Sequence, residues 1–147
     1  MITDATYYKF PLQFERLLDG EDWLRCNEKE SIDQNLELII TTCPGEHKYN
    51  PDFGCMIWEL DFVSMLSQSV WESTFHEHIV KAIARYEPRI TNIDIDVDFS
   101  DVVRSYPMTG TNAIKKKVNI IIRANLLSNG EKCGFQYFLY LGPLSTD

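Results

Sequence analysis

Apolar side chains recur along the first half of the chain at the spacing expected of helices. The first predicted helix begins after Asn27, a good N-cap residue, and Glu30 falls three residues later, as a capping box requires. The helix is predicted to end at Pro44-Gly45, because proline cannot continue a helix and glycine turns the chain freely. Its predicted apolar face consists of Ile32, Leu36, Ile39, Ile40 and Cys43.

A second helix is predicted between Ser69 and Pro88. Ser69 and Glu72 form another capping box, and Pro88 ends the helix because the residue before a proline avoids helical geometry. Between the two helices, the apolar stretch 55–66 is compatible with a strand, a turn or a brief helix. The predicted apolar face of the second helix consists of Trp71, Phe75, Ile79, Ala82, Ile83 and Tyr86.

After the second helix the pattern changes to that of strands. Apolar and polar residues alternate along 92–99, with the period of a half-exposed strand. Residues 118–127 are rich in β-branched side chains and apolar on both faces, as in a central strand. Asn129-Gly130 predicts a hairpin turn, after which 134–141 returns as an aromatic strand. We therefore predict an α+β fold of two layers, with two main helices packed on a mostly antiparallel C-terminal sheet.

The length of the chain fits one domain. A chain of 147 residues, of which 44% are hydrophobic, can bury a sizeable core. Within this single domain we distinguish an N-terminal lead-in (1–26), a helical half (27–88) and a strand-rich half (89–142). The lead-in is rich in aromatic residues and is expected to pack on the rest of the domain, although the sequence does not define its shape.

Charge and cysteine content exclude several classes of protein. The formal net charge is −8, and the only basic run is Lys115-Lys116-Lys117, so nucleic-acid binding is not expected. The start of the chain lacks the pattern of a signal peptide, and no run of about 18 apolar residues predicts insertion into a membrane. The four cysteines include no Cys-x-x-Cys pair, so we expect reduced thiols in a cytoplasmic protein.

Two groups of residues resemble metal sites without meeting their requirements. His76 and His78 are two residues apart, whereas chelation on one helix face needs histidines four apart, so they are interpreted as solvated. The series Asp94, Asp96, Asp98 and Asp101 resembles a calcium loop, but Phe99 stands where an EF-hand needs glycine. We interpret the series as the carboxylate face of a strand, which residues 115–117 or a partner could neutralise.

A glycosidase needs two carboxylates on either side of a sugar cleft. Glu46, Asp52 and Glu59 are available, but nothing in the sequence marks a sugar cleft or a raised pKa. No nucleophile elbow, phosphate loop or dinucleotide fingerprint is present either. We therefore predict neither a catalytic residue nor a cofactor.

The sequence Glu87-Pro88-Arg89 combines an acid, a helix stop and a base at the end of the second helix. Glu87 and Arg89 could pair with each other, or with other elements of the chain, and hold the corner between helix and strand. Alternatively, Arg89 could offer its planar fork to a carboxylate or carbonyl group of a partner. Both interpretations stay open at the level of the residues.

Three motifs in order resemble the signature of a baseplate family. They are Thr41-Thr42-Cys43-Pro44-Gly45-Glu46-His47, Pro51-Asp52-Phe53-Gly54-Cys55 and Glu87-Pro88-Arg89. The family contains the phage tail baseplate wedge proteins called "lysozyme-like" and TssE of the type VI secretion system. Its pattern runs Thr-x-Pro-Gly-Glu-Arg, then Pro-x-Phe-Gly, then Glu-Pro-Arg. The resemblance covers about residues 28–100 well and the strands to about 142 more loosely. One departure is that His47 replaces the arginine of the family.

The resemblance implies a structural role rather than an enzymatic one. It implies a baseplate subunit of a contractile injection machine similar to the type VI system, which docks wedge proteins (TssF-, TssG- and TssK-like) and starts a sheath of TssB- and TssC-like subunits by strand-edge pairing. It assigns docking to Glu87, Pro88 and Arg89. The motif loop would comprise Pro44, Gly45, Glu46, His47, Pro51, Asp52, Phe53 and Gly54. A phage tail wedge protein, a peptidoglycan hydrolase and a regulatory adaptor are the alternatives.

Overall fold

A computed structural model describes residues 7–59, 68–106, 108 and 110–144. It confirms an α+β fold with an antiparallel sheet. The elements are β1 (Tyr7–Tyr8), α1 (Phe14–Leu18), β2 (Arg25–Cys26), α2 (Glu28–Thr41), a short 3-10 helix (Met56–Glu59), α3 (Gln68–Tyr86), β3 (Ile90–Tyr106), β4 (Thr111–Leu126) and β5 (Lys132–Leu144).

The described residues form two compact units. One unit contains 7–59 and 78–89, and the other contains 68–77 and most of the chain from 90 to 144. The long helix α3 therefore contributes its first half to one unit and its second half to the other. The predicted organisation as a single domain stays a prediction.

Helix α2 begins as its capping signal predicts. The side chain of Asn27 accepts a hydrogen bond from the backbone N–H of Glu30 at 2.8 Å. The helix ends at Thr41, so the inclusion of Cys43 in the helix is wrong. Cys43 precedes a proline, which disfavours helical geometry there. The fully buried face consists of Ile32, Leu36, Ile39 and Ile40.

Helix α3 ends at Tyr86, two residues before Pro88, as predicted. The prediction of Ser69 as its N-cap is wrong, because Gln68 is already helical and Ser69 lies within the first turn. Neither residue opposes helix formation strongly, so the helix extends upstream of the capping signal. Phe75, Ile79, Ala82 and Ile83 are buried, as the periodicity predicts. The side chain of Trp71 and residues 60–67 lie outside what the structure describes.

The main sheet has the order β3-β4-β5, so the strand predicted to be central is indeed central. Its buried face includes Ile95, Ile120, Ile122 and Phe135. The register shifts between Thr91 and Asp94, and a residue within this bulge, Asn92, has a positive φ of 52°. The predicted hairpin turn joins β4 to β5, with Gly130 at φ 73°.

Two acidic residues of β3, Asp94 and Asp96, pair with a cation on the neighbouring strand. Arg123 on β4 lies 3.0 Å from Asp94 and also pairs with Asp96. Of the series that residues 115–117 were expected to face, the register places Asp101 opposite Lys116, whereas Asp94 and Asp96 pair with Arg123 instead. His76 also differs from expectation: its Nε2 lies 2.8 Å from the carbonyl oxygen of Ile95, so this histidine is hydrogen-bonded as well as solvated.

The lead-in packs on α2, as its aromatic content predicts. β1 and β2 form a two-stranded antiparallel sheet, and the ring of Trp23 stacks edge-on against Tyr8 and Phe14. The backbone N–H of Phe10 donates to the side-chain carbonyl of Gln34 on α2 at 3.1 Å.

Candidate partner-binding site

The carboxylate of Glu87 is buried just beyond the end of α3, with 1% of the residue exposed. Both of its oxygens are held by Arg89: Nε donates to Oε1 at 2.8 Å and Nη2 donates to Oε2 at 2.9 Å. The backbone N–H of Arg89 and the side-chain amide of Asn35 add bonds of 3.1 and 2.7 Å. A buried carboxylate is costly unless it is paired and hydrogen-bonded, and these four donors meet that need.

Arg89 is itself held from behind by several contacts. Its Nη1 donates to the hydroxyl of Ser31 at 2.8 Å, and its guanidinium lies 5.0 Å from the centre of the Tyr7 ring. The hydrogen bond to Glu87 is the main cause that raises the pKa of Arg89 above its ordinary value. About a quarter of the side chain, 24%, stays exposed. The corner thus fixes the arginine while leaving one part of it accessible.

The motif loop is closed on itself by backbone hydrogen bonds. The N–H of Gly45 donates to the carbonyl of Pro51 at 2.7 Å, and the N–H of Cys55 donates to the carbonyl of Thr42 at 2.9 Å. The side chain of His47 is hydrogen-bonded within this loop: its Nδ1 accepts from the backbone N–H of Asn50 at 3.1 Å. The histidine that replaces the arginine of the family pattern therefore helps to shape the loop.

Gly54 is required by the closure of this loop. Its φ is +131°, a conformation that side chains rarely adopt, and a Cβ there would lie 2.5 Å from the carbonyl oxygen of Thr42. The obstacle is backbone, so it cannot move aside as a flexible side chain would. The Pro-x-Phe-Gly motif thus ends in glycine because two backbone segments approach closely.

Tyr86 joins the loop to the corner. Its hydroxyl donates to the carbonyl of Asp52 at 2.7 Å, and its ring packs 5.0 Å from the ring of Phe53. Its own carbonyl accepts a bond from Asn35 at 3.1 Å, and Asn35 also binds Glu87. The backbone bonds of the loop join the first two motifs, and Tyr86 and Asn35 connect them to the third within one unit.

Residues 26–131 match the model of the family described as "Baseplate wedge protein gp25". The chain belongs to this family. The match includes all three motifs and confirms the resemblance inferred from them. In this member of the gp25 family, the loop and the corner form one connected structure.

Two relatives place the match in context. Baseplate wedge protein gp25 of Enterobacteria phage T4 is 34% identical over 67 residues, which cover 46% of this chain and 49% of that protein. The chain thus spans about half the length of this relative. A crystal structure described as a candidate tail lysozyme from Geobacter sulfurreducens aligns with a TM-score of 0.59 and 21% identity, over 84% of this chain and all of that one. This second likeness concerns the fold alone.

Several residues of the corner carry no signal of their own in the sequence. Ser31 and Asn35 are four apart on α2, so they share a face, but their contacts with Arg89 and Glu87 span more than 50 positions of the chain. Tyr7 of the lead-in is still further from Arg89 in sequence. The position of Ser31 and Asn35 beside the buried apolar face of α2 is the one signal in the sequence that this side of the helix meets a polar group.

Other kinds of site find no support among the described residues. No group of three or more His, Cys, Asp or Glu side chains in that part of the chain is arranged to hold a metal ion. No helix in the same part is long and apolar enough to cross a membrane. The four cysteines are free thiols, and burial raises the pKa of Cys55 to about 11.

Proposed function

We propose that this member of the gp25 family is a structural baseplate subunit of a contractile injection machine similar to the type VI secretion system. It docks wedge proteins that are TssF-, TssG- or TssK-like and starts a sheath of TssB- and TssC-like subunits in the cytoplasm. The observation that carries the proposal is the connection of the three family motifs: backbone hydrogen bonds join the first two, and Tyr86 and Asn35 connect these to the third. A rigid, connected surface is what docking between subunits requires, because little ordering entropy is then lost on binding.

In this proposal the residues of the corner have different roles. Pro88 and the exposed part of Arg89 meet the wedge partner. Glu87 is a positioning residue, because both of its carboxylate oxygens are bound within the chain. The N–H groups of Arg89 that remain beyond its bonds to Glu87 and Ser31 can donate to a carboxylate or a carbonyl group of the partner, and the pair with Glu87 orients them beforehand.

Two variants separate docking from folding at the corner. Arg89→Lys keeps the charge but loses the planar fork, so we expect binding to purified wedge proteins to weaken about tenfold. Ser31→Ala is the matched control, because it removes a contact behind Arg89 and leaves the exposed part in place. It should lower the melting temperature with little effect on binding. If the two variants weaken binding equally at equal loss of stability, Arg89 does not dock a partner.

The sheath subunit is proposed to pair with strand β5. Among the described residues, β3 and β5 form the edges of the sheet. Alternating carboxylates at Asp94, Asp96 and Asp98 protect β3 against pairing with another strand. By contrast, 134–141 of β5 carries no charged residue and is aromatic, a composition that favours strand addition at this edge.

Proline substitutions at adjacent positions of β5 test this pairing. Neighbouring amides of a strand point to opposite sides, so one of Gln136→Pro and Tyr137→Pro removes a bond to β4 and the other removes a bond at the edge. We expect the variant that keeps the native circular dichroism spectrum to abolish sheath polymerisation in cells. Normal sheaths with that variant would exclude β5 as the pairing edge.

A catalytic role is not part of the proposal. Asp52 alone supplies a carboxylate among the described residues that line the cleft beside the motif loop, whereas glycoside hydrolysis needs a pair. We expect no lysis of peptidoglycan in a zymogram with the purified protein. Lysis that disappears in Glu46→Gln or Glu59→Gln would contradict the structural role.

A phage tail is the second candidate setting, because the relative that is 34% identical over 67 residues is a phage T4 protein. The neighbouring genes distinguish the two settings. Capsid and terminase genes beside the sheath and tube genes would indicate a phage, and their absence beside a membrane-complex gene cluster would indicate a secretion system.

A further inference from the structure

A cleft of about 260 Å³ opens between the motif loop and the second half of α3, within one of the two units. Its apolar lining includes Pro44, Met56 and Ala82. Met56 is 41% exposed, although a methionine side chain is usually buried. The cleft therefore offers apolar surface to a side chain of another molecule.

The helix side of the cleft is basic. His78, Lys81 and Arg85 all line it and follow one another on α3 at spacings of three and four residues, which places them on one face of the helix. This concentration of basic side chains stands out because the whole chain carries a net charge of −8. The helix side of the cleft thus has the opposite sign of charge to the chain as a whole.

Arg85 is only weakly engaged by Asp52, which supplies the one carboxylate among the described residues that line the cleft. Its Nη2 lies 3.9 Å from Oδ2 of Asp52, a distance too long for a direct hydrogen bond, and both side chains are more than 60% exposed. The guanidinium lies 5.2 Å from the centre of the Tyr86 ring, which orients it at the mouth of the cleft. Its guanidinium can therefore donate hydrogen bonds to a better-placed carboxylate of another molecule.

We propose that this cleft binds an acidic peptide segment of a partner protein, with an apolar side chain over Met56 and a flanking carboxylate on Arg85. Apolar lining and basic rim together select such a segment, because neither a basic nor a wholly polar peptide matches both. The cleft is formed by the motif loop, and Tyr86 fixes the shape of that loop. The assignment of this segment to a baseplate protein rests on the proposed function. The preference of the cleft for an acidic peptide rests only on the residues that line it.

The test uses the isolated full chain and defined peptides. The probe is a blocked synthetic peptide with one leucine between two pairs of glutamates, and its matched counterpart has lysines in place of the glutamates. In NMR titrations of the ¹⁵N-labelled protein we expect the acidic peptide to shift amide signals in 52–56 and 78–86. The expected Kd is about 1 mM or tighter, and it should weaken with added salt.

Two variants connect the binding to the cleft. Arg85→Gln should weaken binding of the acidic peptide about tenfold. Lys29→Gln is the control, because it removes the same charge from an exposed position of α2 in the same unit. Shifts that are equal for both peptides, equal losses in the two variants, or no shift at ~10 mM peptide would each overturn the proposal. Since no baseplate component takes part, failure here is distinct from failure of wedge docking by Arg89→Lys.

Discussion

The hydroxyl of Tyr86 donates a hydrogen bond of 2.7 Å to the backbone carbonyl of Asp52. This one bond ties the last residue of α3 to the turn of the second family motif, 34 positions away in sequence. The same tyrosine packs its ring against Phe53, so the contact has a polar part and an apolar part that can be removed separately.

Tyr86→Phe removes the polar part alone. We expect the free energy of unfolding to fall by about 1 kcal/mol, the net value of one hydrogen bond, while the ring contact with Phe53 remains. Amide hydrogen exchange at Gly45 and Cys55 should become faster, because the loop loses an anchor. Tyr140→Phe, at an exposed position of β5, serves as the control and should change both quantities little. Equal effects of the two variants would show that the bond to Asp52 does not hold the loop.

Gly54→Ala should destabilise the protein more than the same change at Gly45. Both glycines have positive φ, but a Cβ at Gly54 meets the carbonyl oxygen of Thr42, whereas none of the surrounding atoms lies within 4 Å of a Cβ at Gly45. We expect a loss of about 1 kcal/mol for Gly45→Ala and about 3 kcal/mol or more for Gly54→Ala. Urea unfolding measures both. Similar losses would indicate that the loop can shift away from the new methyl group.

Arg89→Ala should cost about 3 kcal/mol, because it leaves the carboxylate of Glu87 buried without its charged partner. The double variant Glu87→Gln with Arg89→Ala should cost less than Arg89→Ala alone, since the neutral amide has no charge to desolvate. Chemical denaturation of the parent, the single variants Glu87→Gln and Arg89→Ala, and the double variant gives the coupling energy. Additive losses would mean that the two side chains do not depend on each other.

The buried thiol of Cys55 should make stability fall at alkaline pH. Burial raises its pKa from 9.0 to about 11, so the unfolded thiol loses its proton at lower pH than the folded one. Its contribution is fully present below about pH 9 and is lost as the pH rises to about 11, by about 3 kcal/mol at most.

Urea unfolding between about pH 8 and 11 checks this prediction by comparing the free energy of unfolding of the parent with that of Cys55→Ala. The comparison is needed because other groups also titrate in that range. The variant should show the shallower decline. Cys43→Ala, at a half-buried thiol, is the control and should keep the decline of the parent. Parallel curves for all three proteins would contradict the raised pKa of Cys55.

Local signals in the sequence predicted much of the fold. Asn27 and Pro88 mark helix ends by short-range chemistry, and the alternation along 92–99 and the turn at Gly130 identify the strands and their order. Ser69 was a misleading signal, because a residue type that favours the N-cap can also lie inside a helix.

The contacts of the site were harder to predict because they depend on long-range geometry. Pairing of Glu87 with Arg89 was one of two possibilities that the sequence left open, and the roles of Asn35 and Ser31 depend on how α2 meets the end of α3. Likewise, only the register of β3 and β4 selects Arg123 as the partner of Asp94. Periodicity identifies which face of an element is buried but not which residues meet across it.

Helix α3 has a consequence for how the protein opens. Phe75 lies in the part of the helix that belongs to one unit, whereas Ile79 and Ile83 lie in the part that belongs to the other, and all three are fully buried. Opening of the helix along 75–83 therefore exposes buried side chains that belong to each of the two units. The amides along 75–83 should therefore exchange together, through one rare opening of the middle of the helix.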